Sequence, residues 1–348
     1  YPRVYGEKFL NIKDQLFLAT CCMAYWGIYL YLSHERKIRY GILAGGMFAI
    51  STCSRMVGVM FPIILIGYLI VTDIKDQRYT LKKISFLKGT YLPSLVKCIG
   101  DYLTILVSYF VIWTIGTPCV WFQNIFKEFY SAFTYFSYYD AWEGTSVFAG
   151  QTLHFTQMPW YYIFVWLGIT VPIIYIVLFF VGHAYIYRKD IGVKEWFSRM
   201  ISDDKYFSLA LAMFWGPCLL VALHKIKIYT AWRHMYFLVC PLIMLSIFGL
   251  KYCMEKIHGQ YAAIIKKACI GIFVLSLFGQ VLWMIHNHPY QYLYFNFIGR
   301  PMASQFDRDY LRGTGYDLFE YILDNDDRDV ITIGQLSDID DELAFLNQ

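Results

Sequence analysis

The sequence predicts an all-α polytopic membrane protein of about eight membrane segments, followed by the beginning of a small α/β domain outside the membrane. Three observations carry this. Of the 348 residues, 58% are apolar and only 16% charged, against roughly 45–50% and 25% in soluble domains. The apolar residues gather in runs of bilayer length. Lys and Arg gather in alternate loops between those runs. Aromatic residues reach 20%, and this composition excludes a disordered chain, a coiled coil and a nucleic-acid-binding module.

Taken in order, residues 1–15 are polar and turn-like, opening Tyr1-Pro2-Arg3-Val4-Tyr5-Gly6-Glu7-Lys8. No basic start followed by a short apolar stretch marks a leader, and the opening looks like a chain joined part-way. Apolar runs cover 16–32, 102–117, 160–187, 206–223, 235–250 and 269–285. A further stretch, 40–71, is too long for one span and is interrupted by Ser54-Arg55. It forms either one tilted helix with a buried arginine or two helices turning at Arg55.

Charge separates these two. With a turn at Arg55, loops 33–39, 72–101, 188–205 and 251–268 share one side and hold 18 Lys and Arg, while the short segments of the other side hold 8. With a single helix the later loops change sides and the balance inverts. The two-helix arrangement obeys the positive-inside rule and places both the first residues and the tail outside. Residues 1–286 then form the membrane domain. The tail, 287–348, has 12 Asp and Glu against four Arg, a helical pattern at 316–323 and a β-like run at 329–334.

The outer loop 117–159 is dense in aromatics, among them Trp121, Phe122, Phe126, Phe129 and Tyr130. It is too broken to span and is expected to lie along the outer interface, where Tyr and Trp are favoured, or to pack on the bundle. Nine cysteines, odd in number and irregular in spacing, form neither a disulfide framework nor a zinc pattern. Buried small hydrophobes are expected.

The residues suited to chemistry sit at the outer side. Arg3, Glu7, Asn11 and Lys13 precede the first span, and Asp14 stands at its boundary as either a solvated helix start or an acidic site residue. Arg55, flanked by apolar runs, is either a snorkelling turn residue or a bidentate partner for a lipid-linked phosphate. The short segment 224–234 carries Lys225, Lys227 and Arg233 with Tyr229 and His234. Three bases on the base-poor side suit an anionic ligand, lipid heads or the acidic tail. Asp140 and Glu143 are acids of the aromatic loop. His286 and His288 have no third ligand at diagnostic spacing, so no metal site is expected there. A phosphate-cradling Gly loop, a G-x-S-x-G elbow and an H-E-x-x-H helix are all absent.

Four stretches together resemble the GT-C superfamily of membrane glycosyltransferases, near the protein O-mannosyltransferases and the lipid A aminoarabinose transferases. They are Pro2 to Asp14; Ser51-Thr52-Cys53-Ser54-Arg55-Met56-Val57-Gly58; the loop motifs Trp142-Glu143-Gly144, Phe148-Ala149-Gly150-Gln151 and Met158-Pro159-Trp160-Tyr161-Tyr162; and Tyr229 to His234 with Tyr236-Phe237, joined by His288 to Asn296. The resemblance implies transfer of a sugar from a polyprenyl- or dolichyl-phosphate donor to an acceptor, protein or glycolipid, outside the cytoplasm. The displacement is a single inverting one. It implies Asp14 as an acidic site residue, Arg55, Arg233, Arg3, Tyr229 and His234 around the donor phosphate, and Glu143 and Asn11 towards the acceptor or loop. It names no certain cofactor and leaves room for a divalent cation. The setting is the plasma membrane of a bacterium or the endoplasmic reticulum of a eukaryote. In this superfamily the principal catalytic acid lies in an outer loop two helices ahead of the region that residues 1–14 match. Residues 1–348 alone are therefore expected to lack the main base and to be inactive. A transporter or flippase of lipid-linked sugars is the competing class, and a membrane scaffold is a third.

Overall fold

The computed structural model describes residues 1–75, 92–137, 144–184, 195, 205–224, 228, 231–309, 314–326 and 328. A short helix α1 (Pro2–Glu7) leads into α2 (Ile12–Ser33), α3 (Ile38–Ser54), α4 (Met60–Lys75), α5 (Leu92–Gly116) and α6 (Ile125–Ser137). A hairpin follows, β1 (Thr145–Phe148) against β2 (Gln151–His154). Then come α7 (Tyr162–Thr170), α8 (Ile173–Ala184), α9 (Lys205–His224), α10 (Val239–Lys256), α11 (Ala262–His286) and α12 (Gly315–Asn325). Six stretches are long and apolar enough to cross a membrane: Ile12–Ser33, Met56–Lys75, Lys97–Gly116, Lys205–Leu223, Arg233–Lys256 and Ala262–His286. The chain is a mostly α-helical polytopic membrane protein.

The helices turn where charge asymmetry requires. α3 ends at Ser54, Arg55 is extended (φ −155°, ψ 137°), and a 3-10 turn over Met56–Val59 leads into α4. Residues 40–71 are thus two helices with Arg55 at the turn. At the far end of the bundle Arg36 pairs with Asp73 at 2.8 Å, the Tyr102 hydroxyl donates to Asp73 at 2.6 Å, and Lys205 Nζ donates to the Leu32 carbonyl at 3.0 Å. Three of the base-rich loops therefore have residues at one end.

Other expectations are corrected. Residues 2–7 are a helix and not a turn: Pro2 stands at the first helical position, where its fixed φ suits a helix start. The run 160–187 is no single helix. Pro172 has no N–H and its ring opposes the carbonyl four residues back, so α7 stops at Thr170. The Asn296 side chain donates to the freed Gly168 and Val171 carbonyls at 2.6 and 2.7 Å. Helix α5 begins ten residues before the expected span, within what was expected as loop 72–101. Loop 117–159 contains α6 and the hairpin. Ala149 and Gly150 form its two-residue turn with φ of 51° and 77°, the left-handed values a tight hairpin needs. Only Cys21, Cys98 and Cys218 are buried, whereas Cys22, Cys53 and Cys119 are exposed. The β-like run 329–334 lies outside the described residues.

Small residues let the helices close. Helix α3 packs against both α2 and α5, and α8 against α10. A methyl at Gly45 would overlap Ser108 Oγ and the Ile105 carbonyl of α5, and one at Gly249 would overlap the Leu178 carbonyl of α8. Close backbone approach of this kind gives dispersion contact where the hydrophobic effect contributes little between helices. Helix α11 is different, for none of its residues is buried.

Gly249→Ala is expected to lower the melting midpoint of the detergent-solubilised protein, since overpacking costs about 1–3 kcal/mol. Gly271→Ala, where nothing lies within 4 Å, should hold or raise it, because Gly to Ala inside a helix gains roughly 0.5–1 kcal/mol. Equal shifts in the two variants would mean that α8 and α10 do not touch at Gly249.

Candidate active site

The site forms at the end of the bundle where α2 begins and α3 ends. Helix α1 is pressed against Gln291 and Tyr292, an approach that Gly6 allows, since a Cβ there would overlap the Tyr292 nitrogen. This packing buries Arg3 and Glu7, one turn apart on one face. The Arg3 guanidinium lies 5.3 Å from the Trp166 ring centre and 5.2 Å from that of Phe295, and donates to the Tyr294 carbonyl at 3.4 Å. An arginine set against two neighbouring rings keeps its charge in apolar surroundings.

Glu7 accepts a hydrogen bond from the Tyr236 hydroxyl and another, at 3.4 Å, from Asn11 Nδ2. Asn11 caps α2, its Oδ1 accepting from the Asp14 backbone N–H at 3.3 Å. Its Nδ2 also donates to Asp14 Oδ2 at 2.6 Å. Asp14 in turn forms an ion pair with Arg55. Tyr236, Glu7, Asn11, Asp14 and Arg55 are therefore one connected chain, linking α10's leading 3-10 turn (Arg233–Leu238) to α1, α2 and the end of α3. Asp14 is no solvated helix start: its side chain is 3% exposed and that of Arg55 14%.

Further cations converge. The charges of Arg233, Arg55 and Lys13 all act on the His234 ring. Arg3 and Arg233 both act on Asp307, which lies at the edge of the hairpin. Asp307 accepts from the Ser146 hydroxyl at 3.1 Å, and its backbone N–H donates to the Val147 carbonyl at 2.9 Å. Burial raises the Asp307 carboxyl above its ordinary value, and nearby Asp309 adds to this. The Ser146 hydrogen bond and the two arginines act in the opposite direction. The Pro172 break closes the other wall. Trp232 Nε1 donates to Thr170 Oγ1 at 2.9 Å, and the Tyr1 hydroxyl donates to the Thr170 carbonyl at 2.9 Å.

Of the residues named from sequence, Arg3, Asn11, Asp14, Arg55, Arg233 and His234 come together. Tyr229, Asp140 and Glu143 lie outside the described residues, as do Lys225 and Lys227. Sequence reasoning assigned no role to Glu7, Tyr236 or Asp307. The first was within reach: Glu7 stands in the opening segment between Arg3 and Asn11, both singled out there. Asp307 carries no such signal, because its position depends on residues 305–307 pairing with the edge of the hairpin. Among the described residues no group of three or more His, Cys, Asp and Glu is placed to hold a metal ion.

Breaking a buried ion pair costs about 3–5 kcal/mol. Asp14→Ala and Arg55→Ala should each lose folding stability of that order in denaturant titration of the solubilised protein. The double variant should lose clearly less than their sum, and strict additivity would show the pair uncoupled. Asp307→Asn should raise the melting midpoint at neutral pH and leave it unchanged at the acid end. A raised carboxyl favours the protonated folded state, so its cost grows as pH rises through and above the ordinary value of 3.8. An equal shift at both ends would reject that origin.

Neither the search of curated proteins nor that of solved structures found a match. Residues 3–99 match the family model described as dolichyl-phosphate-mannose-protein mannosyltransferase. That stretch contains Arg3, Glu7, Asn11, Asp14 and Arg55, and the apolar spans agree with the membrane setting of such proteins. The part of the chain that builds the buried ion pair is thus similar to dolichyl-phosphate-mannose-protein mannosyltransferases, and the protein resembles a membrane glycosyltransferase of the GT-C type.

Proposed function

We propose that this end of the bundle binds the phosphate of a dolichyl- or polyprenyl-phosphate-linked sugar and passes the sugar to an acceptor hydroxyl outside the cytoplasm. The observation that carries this is the Asp14–Arg55 ion pair at a helix end, with Arg55, Arg233 and Lys13 acting on nearby His234 and Arg3 and Arg233 on Asp307. The family match over residues 3–99 supports the donor class. The excess of Lys and Arg in the opposite loops supports the sidedness.

In the reaction the bond between the anomeric carbon and the phosphate oxygen breaks as the acceptor oxygen attacks from the opposite face. The acceptor proton passes to a carboxylate base, and the departing phosphate gains charge. Arg55 and Arg233 are suited to that charge, since a guanidinium offers two parallel donors to phosphate and works best where water is scarce. Asp14 is engaged with Arg55 and Asn11, so we assign it to holding the Arg55 fork and not to taking the acceptor proton. Tyr229 and Glu143 remain proposed neighbours of the donor and the acceptor loop.

The experiment is binding of dolichyl phosphate to the full chain in detergent micelles. A hydrogen bond to a charged group is worth about 1.5–3 kcal/mol, so Arg55→Ala and Arg233→Ala should each weaken binding by roughly 10- to 100-fold. Arg55→Lys, which keeps charge but loses the fork, should fall between. Unchanged affinity in both alanine variants would overturn the assignment. Movement of the lipid between leaflets by the chain would identify a flippase instead.

A further inference from the structure

Helix α6 lies beside the site but takes no part in the chemistry proposed for it. Its two faces differ. Ile125 and Phe129 pack on the core, with the Phe129 ring 4.9 Å from Trp113, 5.4 Å from Phe110 and 6.4 Å from Tyr109. On the other side Phe126 and Tyr130, one turn apart, are 73% and 69% exposed, with the Phe126 ring 5.8 Å from Phe110, and Phe122 in the turn before the helix is 95% exposed. Exposed aromatics of this size at helical spacing need an occupant.

The depth of α6 names it. Residues 109–113 lie three to seven residues before Gly116, where α5 ends. At 1.5 Å per residue the rings of α6 therefore reach about 5–10 Å below that end, the depth at which interfacial helices sit at the boundary of headgroups and acyl chains. The neighbouring face of α5 is already a lipid-facing one, with Val107, Val111 and Ile115 exposed along a span. Trp121, itself 55% exposed, donates its indole N–H to the Thr114 carbonyl at 2.7 Å and holds the connection to α5's last turn. Between 117 and 137 the only charged residues are Lys127 and Glu128.

We propose that α6 is a membrane-surface helix whose Phe126 and Tyr130, with Phe122 from the turn before it, insert into the leaflet on the site's side of the bilayer. The occupant is phospholipid at the headgroup–acyl boundary, continuous with the lipid that bathes α5. Its inner face also touches the 3-10 turn Met56–Val59 that follows Arg55, so the bilayer surface braces the helix break that carries the ion pair. This inference stands on packing depth and does not depend on the donor assignment.

The test uses the full chain in phosphatidylcholine vesicles containing a phosphatidylcholine with a photoactivatable diazirine near the top of one acyl chain. After irradiation, adducts are mapped by mass spectrometry. Labelling of the exposed face of α11, at Leu275 and Leu282, serves as the reference. Adducts at Phe122, Phe126 and Tyr130 comparable to that reference, with none at buried Trp113, are expected. Labelled α11 with unlabelled α6 would overturn the proposal by showing that protein covers the stripe. Cross-links between two copies through these residues would overturn it by identifying a second chain as the occupant.

Discussion

A charge taken out of water within a membrane protein must find a partner, and much of the site follows from how Arg55 meets that demand. Its guanidinium is held by Asp14, which is buried, while Arg55 keeps 14% of its side chain exposed. To reach Asp14, α3 must end at Ser54 and the backbone must become extended for one residue before the chain turns back into α4. Asp14 must in turn stand in the first turn of α2, which Asn11 ensures by capping the helix and donating to the carboxylate. Asn11 also reaches Glu7, and Glu7 reaches Tyr236. A single electrostatic requirement thus organises α1, α2, α3 and the approach to α10.

The second organising constraint is backbone, not charge. Pro172 splits a run that is apolar enough to be continuous, and in a low-dielectric setting the carbonyls it frees cannot be left bare. Asn296 satisfies two of them from more than a hundred residues away, while its backbone N–H takes the Ile169 carbonyl at 2.9 Å. Trp232 and Tyr1 close on Thr170 at the same break. The segments that lead into Arg3 and Arg233 are thus tied to the proline break through Tyr1 and Trp232.

Much of the architecture was legible in the residues. Span positions follow from apolar runs, and the turn at Arg55 follows from the distribution of Lys and Arg, since a continuous helix would reverse every later loop. Arg3, Asn11, Asp14, Arg55, Arg233 and His234 were identifiable because polar groups beside a bilayer are costly and few. The helix over Pro2–Glu7 was missed because a six-residue helix has no periodicity of its own and forms by burying Arg3 and Glu7 against residues near 291. Hairpin β1–β2 was missed for a related reason: its strands have four residues each, and residues 305–307 bridge its edge.

What the sequence by itself determined is the membrane class, the order of the spans and the residues worth examining. Hydrophobic burial and the positive-inside rule act on local composition, and composition can be counted along the chain. Only the tertiary structure decided that Asp14 belongs to Arg55, that Glu7 is tied to Tyr236 and that Asp307 comes within electrostatic reach of Arg3 and Arg233. These pairings join positions 41, 229 and up to 304 residues apart. Such partners are selected by which buried groups end up within reach of one another once the helices pack, and no local pattern encodes that choice.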